Sequence, residues 1–175
     1  MASVPRRIVL TGSESTGKTT LAEGLANHFG LTWVPEFSRG YAEARGGILT
    51  AADVEPIARG QLEAETVALA GQGATVFDTD LVSTVVYAKH YYGDVPAWIG
   101  RKIHSYPPSL YLLCHIDLPW ISDGIRDRPT DREATQERFR RALREFGLES
   151  LVVRGSGPHR LAQAVEAVSH WGRRR

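Results

Sequence analysis

The residues that most restrict the fold are Gly12-Ser13-Glu14-Ser15-Thr16-Gly17-Lys18-Thr19, which match G-x-x-x-x-G-K-[ST] at every fixed position. Such a loop cradles phosphate only in one setting, between a buried strand and the first turn of a helix, where backbone N–H groups and the positive end of the helix dipole converge. The flanking sequence supplies that setting. Arg7–Thr11 reads as a strand, and from Lys18 to Phe29 the residues Leu21, Leu25 and Phe29 recur at helical spacing to make one apolar stripe. A glycine-rich turn with a chance lysine would not need this context. Gly12, Ser13, Glu14, Ser15, Thr16, Gly17, Lys18, Thr19 and Thr20 are therefore expected to hold a nucleotide, with Lys18 on the β- and γ-phosphates and the Thr19 hydroxyl on Mg²⁺.

The rest of the chain repeats the alternation of short apolar runs and helical stretches that builds βαβ units around a parallel sheet. Strands are expected at Thr32–Val34, Ala74–Phe77, Leu110–Ile116 and Leu151–Val153. Helices are expected near 38–45, 51–70 with Thr50 as N-cap, 81–92, from Pro96, 132–146 and 161–168. Leu110–Ile116 has almost no polar interruption, which suits a central strand covered on both faces. At 175 residues the chain has room for one domain, 1–175, with a lid at about 120–132. The predicted class is α/β, a three-layer fold with a central parallel sheet. A formal charge of +1 argues against a nucleic-acid partner, and no run resembles a signal peptide or a membrane span, so a cytoplasmic location is expected. The single cysteine, Cys114, lies in an apolar run and is expected to be a buried thiol rather than a nucleophile.

Carboxylates after strands supply the remaining chemistry. Asp78 is placed to serve a metal ion as a hard oxygen ligand, with Asp80 close behind it; alternatively either residue caps the helix that starts near Leu81. Glu36 and Arg39 follow the second strand and share a face if the turn between them is helical. A kinase needs a carboxylate to orient its hydroxyl nucleophile and a cation for the phosphates, although an ordinary surface pair fits the same spacing. Arg126 and Arg128 lie in a glycine-containing stretch suited to a closing lid. Aromatic residues, Tyr41 and Trp120 among them, offer rings for a base or pyridinium. The turn Arg154-Gly155-Ser156-Gly157 either passes the adenine or simply joins strand to helix.

Taken in order, the P-loop through Leu21, Pro35-Glu36-Phe37-Ser38-Arg39, Asp78-Thr79-Asp80 with Ser83-Thr84, and Trp120-Ile121-Ser122-Asp123-Gly124-Ile125-Arg126 resemble the ribosylnicotinamide kinase domain of NadR-type proteins. The resemblance spans about residues 7–154 and implies a P-loop kinase fold with an arginine-bearing lid. It implies Mg²⁺-dependent transfer of phosphate from ATP to the 5′-hydroxyl of nicotinamide riboside, a small-molecule nucleoside. Expected catalytic residues are Lys18, Glu36, Asp78, Asp80 and Arg126, and expected acceptor contacts are Glu36, Arg39, Tyr41, Asp80, Trp120 and Asp123. Arg126 and Arg128 would join the P-loop on the nucleotide, and Thr19 and Asp78 would hold the metal. Family members often carry a nucleotidyl-transferase domain ahead of this one; none precedes it here, so the chain is expected to form the mononucleotide without adenylylating it. A kinase for another small nucleoside or vitamin, a regulatory P-loop ATPase and a nucleic-acid-binding P-loop protein are the alternatives.

Overall fold

The computed structural model describes residues 5–121 and 131–171. Its sheet has five strands, all parallel, in the order β2-β3-β1-β4-β5: β1 Arg7–Thr11, β2 Thr32–Val34, β3 Thr75–Asp78, β4 Ser109–Cys114 and β5 Ser150–Val153. β1 lies between β3 and β4, in register Leu10 to Asp78 on one side and Leu10 to Leu112 on the other. It is buried at every position, as a strand with a helix layer on each face must be.

Seven helices join the strands among the described residues: α1 Lys18–Phe29, α2 Phe37–Ala44, α3 Val54–Leu69, α4 Leu81–Tyr92, α5 Ala97–His104, α6 Arg132–Glu145 and α7 Gly157–Trp171. A single 3-10 turn, Ala51–Asp53, leads into α3, and Thr50 caps it as expected, through a reciprocal box with Asp53. The alternation of side chains along each strand divides the core in two. Ile8, Leu10, Val76, Leu110, Leu112 and Cys114 face α1 and α7. Val9, Phe77, Tyr111 and Leu113 face α3 to α6. Because strand positions of one parity share a face, Arg7 and Thr11 lie on the second face with Val9, and both are fully buried.

Boundaries differ from the sequence expectation in two places that bear on the site. β3 runs one residue further, to Asp78, so this carboxylate is held by the sheet itself. α7 begins at Gly157 rather than Leu161, which puts Arg160 in its first turn. Cys114 is buried, and burial pushes its thiol up to about 11. No helix among the described residues is long and apolar enough to cross a membrane. The expected lid residues Asp123, Arg126 and Arg128 lie outside the described residues.

Candidate active site

The P-loop leaves β1 at Gly12, whose φ is +126° and whose hydrogen faces the Cys114 carbonyl; a Cβ there would come within 2.9 Å of that oxygen. Only glycine accommodates both the conformation and the approach. Gly17 caps α1 in a left-handed conformation without a side-chain cap, and the first turn of α1 has no acidic residue. Its N–H groups and dipole are thus left for an anion. The Lys18 ammonium lies back across the loop, donating to the carbonyls of Gly12 (3.1 Å) and Ser13 (2.8 Å).

Three side chains outside the expected site residues hold this loop in shape, Arg132 among them at the end of the expected lid. Gln136 of α6 is buried; its Oε1 accepts from the Ser13 N–H (3.0 Å) and its Nε2 donates to the Cys114 carbonyl (2.9 Å). Arg160 of α7 is also buried; it donates to the Thr16 carbonyl, to the His115 carbonyl (2.7 Å) and to Asp117 (2.7 Å). Arg132, at the start of α6, donates to the carbonyls of Ser15 (3.2 Å) and Leu118 (2.9 Å). Asp117 also accepts from the Gly155 N–H (2.7 Å), so the 154–157 turn is tied to the end of β4.

β3 delivers Asp78 beside the loop. Its Oδ2 accepts from the Thr19 hydroxyl at 2.6 Å, while its buried Oδ1 has no hydrogen-bond partner among the described residues. Burial raises the Asp78 carboxyl above the usual range, the charge of Glu36 adds to this, and Lys18 opposes it. Glu36 is buried at the head of α2, accepting from the Ser38 hydroxyl (2.7 Å) with Arg39 at 3.9 Å. The expected cluster of Lys18, Thr19, Glu36, Arg39 and Asp78 is therefore brought together at the carboxyl ends of β1, β2 and β3.

Asp78 and Asp80 diverge because Thr79 between them has φ +69°. For a β-branched residue this is a strained conformation, costing about 1–3 kcal/mol. It lets Asp78 face the P-loop while Asp80 turns into the floor of the neighbouring cavity. Asp80, expected among the catalytic residues, has both carboxylate oxygens engaged by protein groups. Its Oδ1 caps α4 by accepting from the Val82 N–H (3.0 Å), and its Oδ2 is taken by Tyr111 (2.6 Å) and Arg7 (3.2 Å). The capping alternative holds for Asp80, and its position on the cavity remains.

That cavity, about 330 Å³, opens beside the P-loop between α2, α3 and α4. Glu14 and Ser38 lie at the phosphate side, Gln61, Asp80 and Ser83 supply polar groups, and Val54, Ile57, Tyr87 and Tyr91 supply apolar and aromatic wall. Tyr87 and Tyr91 stack with centroids 6.2 Å apart and planes 9° from parallel. Tyr41, expected at the acceptor, donates its hydroxyl to Asp53 (2.9 Å) and is not among the residues that line the cavity. Trp120 is half-buried after β4 and does not line the cavity; its indole Nε1 has no partner among the described residues.

A family model described as AAA domain matches residues 7–160. The chain is 31% identical over 156 residues to the trifunctional NAD biosynthesis/regulator protein NadR of Salmonella typhimurium, covering 85% of this chain and 38% of that protein. The corresponding Escherichia coli protein is 31% identical over 151 residues, covering 82% and 37%. The chain thus spans less than half the length of these curated relatives. Among solved structures, NadR in complex with NAD and AMP-PNP superposes with a TM-score of 0.78 at 27% identity, covering 97% of this chain and 50% of that one. NadR in complex with NR gives 0.77 at 26%, covering 97% and 51%. Thymidylate kinase from Ehrlichia chaffeensis, at 12% identity, 95% and 97% coverage and a TM-score of 0.68, shares the fold.

Proposed function

The chain belongs to the AAA domain family and carries a NadR-type P-loop kinase domain, and from that premise we propose that it transfers the γ-phosphate of ATP to the 5′-hydroxyl of nicotinamide riboside, giving nicotinamide mononucleotide. The NadR relatives support the reading as an ATP-dependent phosphotransferase. The acceptor is the finer part of the proposal.

One observation carries it: an aromatic-walled cavity of about 330 Å³ adjoins the P-loop and has two carboxylates, Asp80 and Glu65, in or under its floor against a single arginine. A site of this size sits at the low end of the roughly 300–1,000 Å³ usual for small-molecule pockets. Stacked tyrosine rings and a carboxylate excess favour a flat cation such as a pyridinium ring. The curated relatives carry NAD biosynthesis in their name, and a NadR structure holds NR.

The residues fit Mg²⁺. Asp78 presents a buried oxygen that lacks a partner among the described residues, next to the Thr19 hydroxyl, and hard oxygen donors of this kind suit the ion. Thr19 and Asp78 would hold it, and when bound it would neutralise charge developing on the transferred phosphoryl group. Lys18 supplies fixed positive charge at the β- and γ-phosphates once it leaves the Gly12 and Ser13 carbonyls. Glu36 is the carboxylate placed to orient or deprotonate the acceptor hydroxyl: it is buried at the head of α2, next to Ser38 on the cavity wall, and its charge reaches Asp78. Arg39 offers a cation on the same turn. Arg126, Arg128 and Asp123 remain proposed lid contacts from the sequence.

ADP release with Mg²⁺-ATP tests this reading against nicotinamide riboside, common nucleosides and thiamine, with an acceptor-free control. Turnover confined to nicotinamide riboside is expected. Preference for another acceptor refutes the substrate assignment, and equal turnover without acceptor favours a regulatory ATPase.

A further inference from the structure

Beneath the acceptor cavity lies a buried polar cluster that the reaction described above does not use directly. Arg7, at the head of β1, is fully buried. Its side chain runs up the sheet beside Phe77, with its guanidinium 3.6 Å from the centroid of the Tyr106 ring. There it donates to Glu65 (3.0 Å), Asp80 (3.2 Å) and the Ser109 hydroxyl (3.2 Å). Glu65 of α3 is 1% exposed and accepts at its other oxygen from Gln61 Nε2 (3.1 Å). Gln61 in turn accepts from the Phe37 N–H (3.3 Å), the residue next to Glu36. On the opposite branch, Asp80 holds the first turn of α4.

A buried ion cluster of this kind is poor evidence for stability, because desolvating the charges offsets much of their attraction. A retained one invites a positional explanation. The cluster joins the two loops that border the acceptor: one branch ends at Phe37 beside Glu36, and the other ends at Asp80, two residues after Asp78. Both polar groups of its outer end, Gln61 and Asp80, line the cavity itself.

We propose that the Arg7–Glu65 pair is the positioning device of the acceptor site, fixing Gln61 and Asp80 on the cavity floor and, through Phe37, the head of the helix that carries Glu36. The proposal rests on the cavity being the acceptor site. Neither Arg7 nor Glu65 lines the cavity, so both act through other residues. Burial, and then the charge of Asp80, push the Glu65 carboxyl up to about 7, while Arg7 opposes this. The contact with Arg7 is therefore what favours the charged form of Glu65 against its burial.

The test is Glu65→Gln, which keeps the shape and removes the charge that holds Arg7, assayed on whichever acceptor of the panel the wild type phosphorylates. Misplaced site groups cost roughly 10- to 100-fold, and that loss is expected in kcat/KM for the acceptor, with acceptor KM raised and ATP KM unchanged. A merely structural role would lower kcat in proportion to the folded fraction and leave both KM values alone; that result overturns the proposal. Ser109→Ala removes one hold on Arg7 far from the cavity, and is expected to give a smaller shift of acceptor KM in the same direction. If Glu65→Gln does not fold, an unshifted acceptor KM in Ser109→Ala overturns the proposal. Wild-type preference for an acceptor other than nicotinamide riboside overturns the substrate assignment while leaving the split to be read on that acceptor. No acceptor-dependent turnover at all overturns both.

Discussion

Replacing Asp78 by asparagine isolates the metal role. The native carboxylate spends Oδ2 on the Thr19 hydroxyl at 2.6 Å and keeps Oδ1 buried without a partner among the described residues. An asparagine that keeps its carbonyl toward Thr19 places an NH₂ donor where a cation needs an acceptor. If it flips, it sets that donor against Thr19. Either way the charged contact is lost, and contacts to charged groups contribute about 1.5–3 kcal/mol. At about 1.4 kcal/mol per factor of ten, kcat/KM should fall roughly 10- to 150-fold. The assay is turnover titrated with Mg²⁺ at several pH values, beside acceptor binding measured by calorimetry. The Mg²⁺ requirement should rise while acceptor affinity changes little. Burial and Glu36 raise the Asp78 carboxyl, so the wild-type affinity for Mg²⁺ should weaken on acidification already above the usual carboxylate range, and the variant should lose that limb. The sign for stability is the reverse. A carboxyl whose folded pKa is raised favours its protonated form in the fold, so its contribution is present at low pH and lost as pH rises through the folded value. At neutral pH the metal-free asparagine variant should therefore melt no lower than wild type. An unaltered Mg²⁺ titration refutes the assignment.

Lys18→Ala should reduce kcat by roughly two to three orders of magnitude, as loss of a preorganised charge does, with a circular-dichroism spectrum like that of wild type. Gln136→Leu unpins the Ser13 N–H from α6 and should raise KM for ATP several-fold with acceptor KM unchanged, read from two-substrate kinetics. Gly60→Ala would set a methyl within 2.0 Å of the Phe37 ring; overpacking of this sort costs about 1–3 kcal/mol, visible in urea melts, and should also raise acceptor KM because Phe37 adjoins Glu36.

The nucleotide half was legible in the sequence because it is local. Loop, strand and helix are contiguous from Arg7 to Phe29, and the motif prescribes backbone conformation as well as side chains. The acceptor half is assembled from residues far apart in the chain. Asp80 follows a strand as Asp78 does, and only the strained Thr79 between them shows why it turns to the cavity floor and α4 instead of the P-loop. The hydroxyl of Tyr41 donates to Asp53 of the capping box at Thr50, a contact that no local spacing announces. Arg160 was missed because α7 starts four residues early, on a glycine of positive φ. A signal for Gln61 and Glu65 did exist: Val54, Ile57, Ala58, Gln61 and Glu65 occupy one buried stripe of α3, so two polar residues on an inward face call for a buried partner.

That partner explains why the two faces of the sheet are built differently. On the α1 and α7 face the ligand-binding groups are mainly backbone N–H groups of the P-loop, set by the turn itself. Gln136, Arg132 and Arg160 pin that loop through its N–H and carbonyl groups. On the α3 to α6 face the ligand-binding groups are side chains, which have rotamer freedom that packing alone does not remove. Arg7, fully buried at the head of β1, is the fixed point from which Glu65, Gln61 and Asp80 are set. It follows that changes of acceptor should arise by substitution among the cavity-wall residues above this cluster, such as Val54, Ile57 and Tyr91. Substitutions within the cluster should lower turnover for every acceptor alike. Wall substitutions that redirect specificity while Arg7 and Glu65 stay intact, set against cluster substitutions that never do, would separate the two functions experimentally.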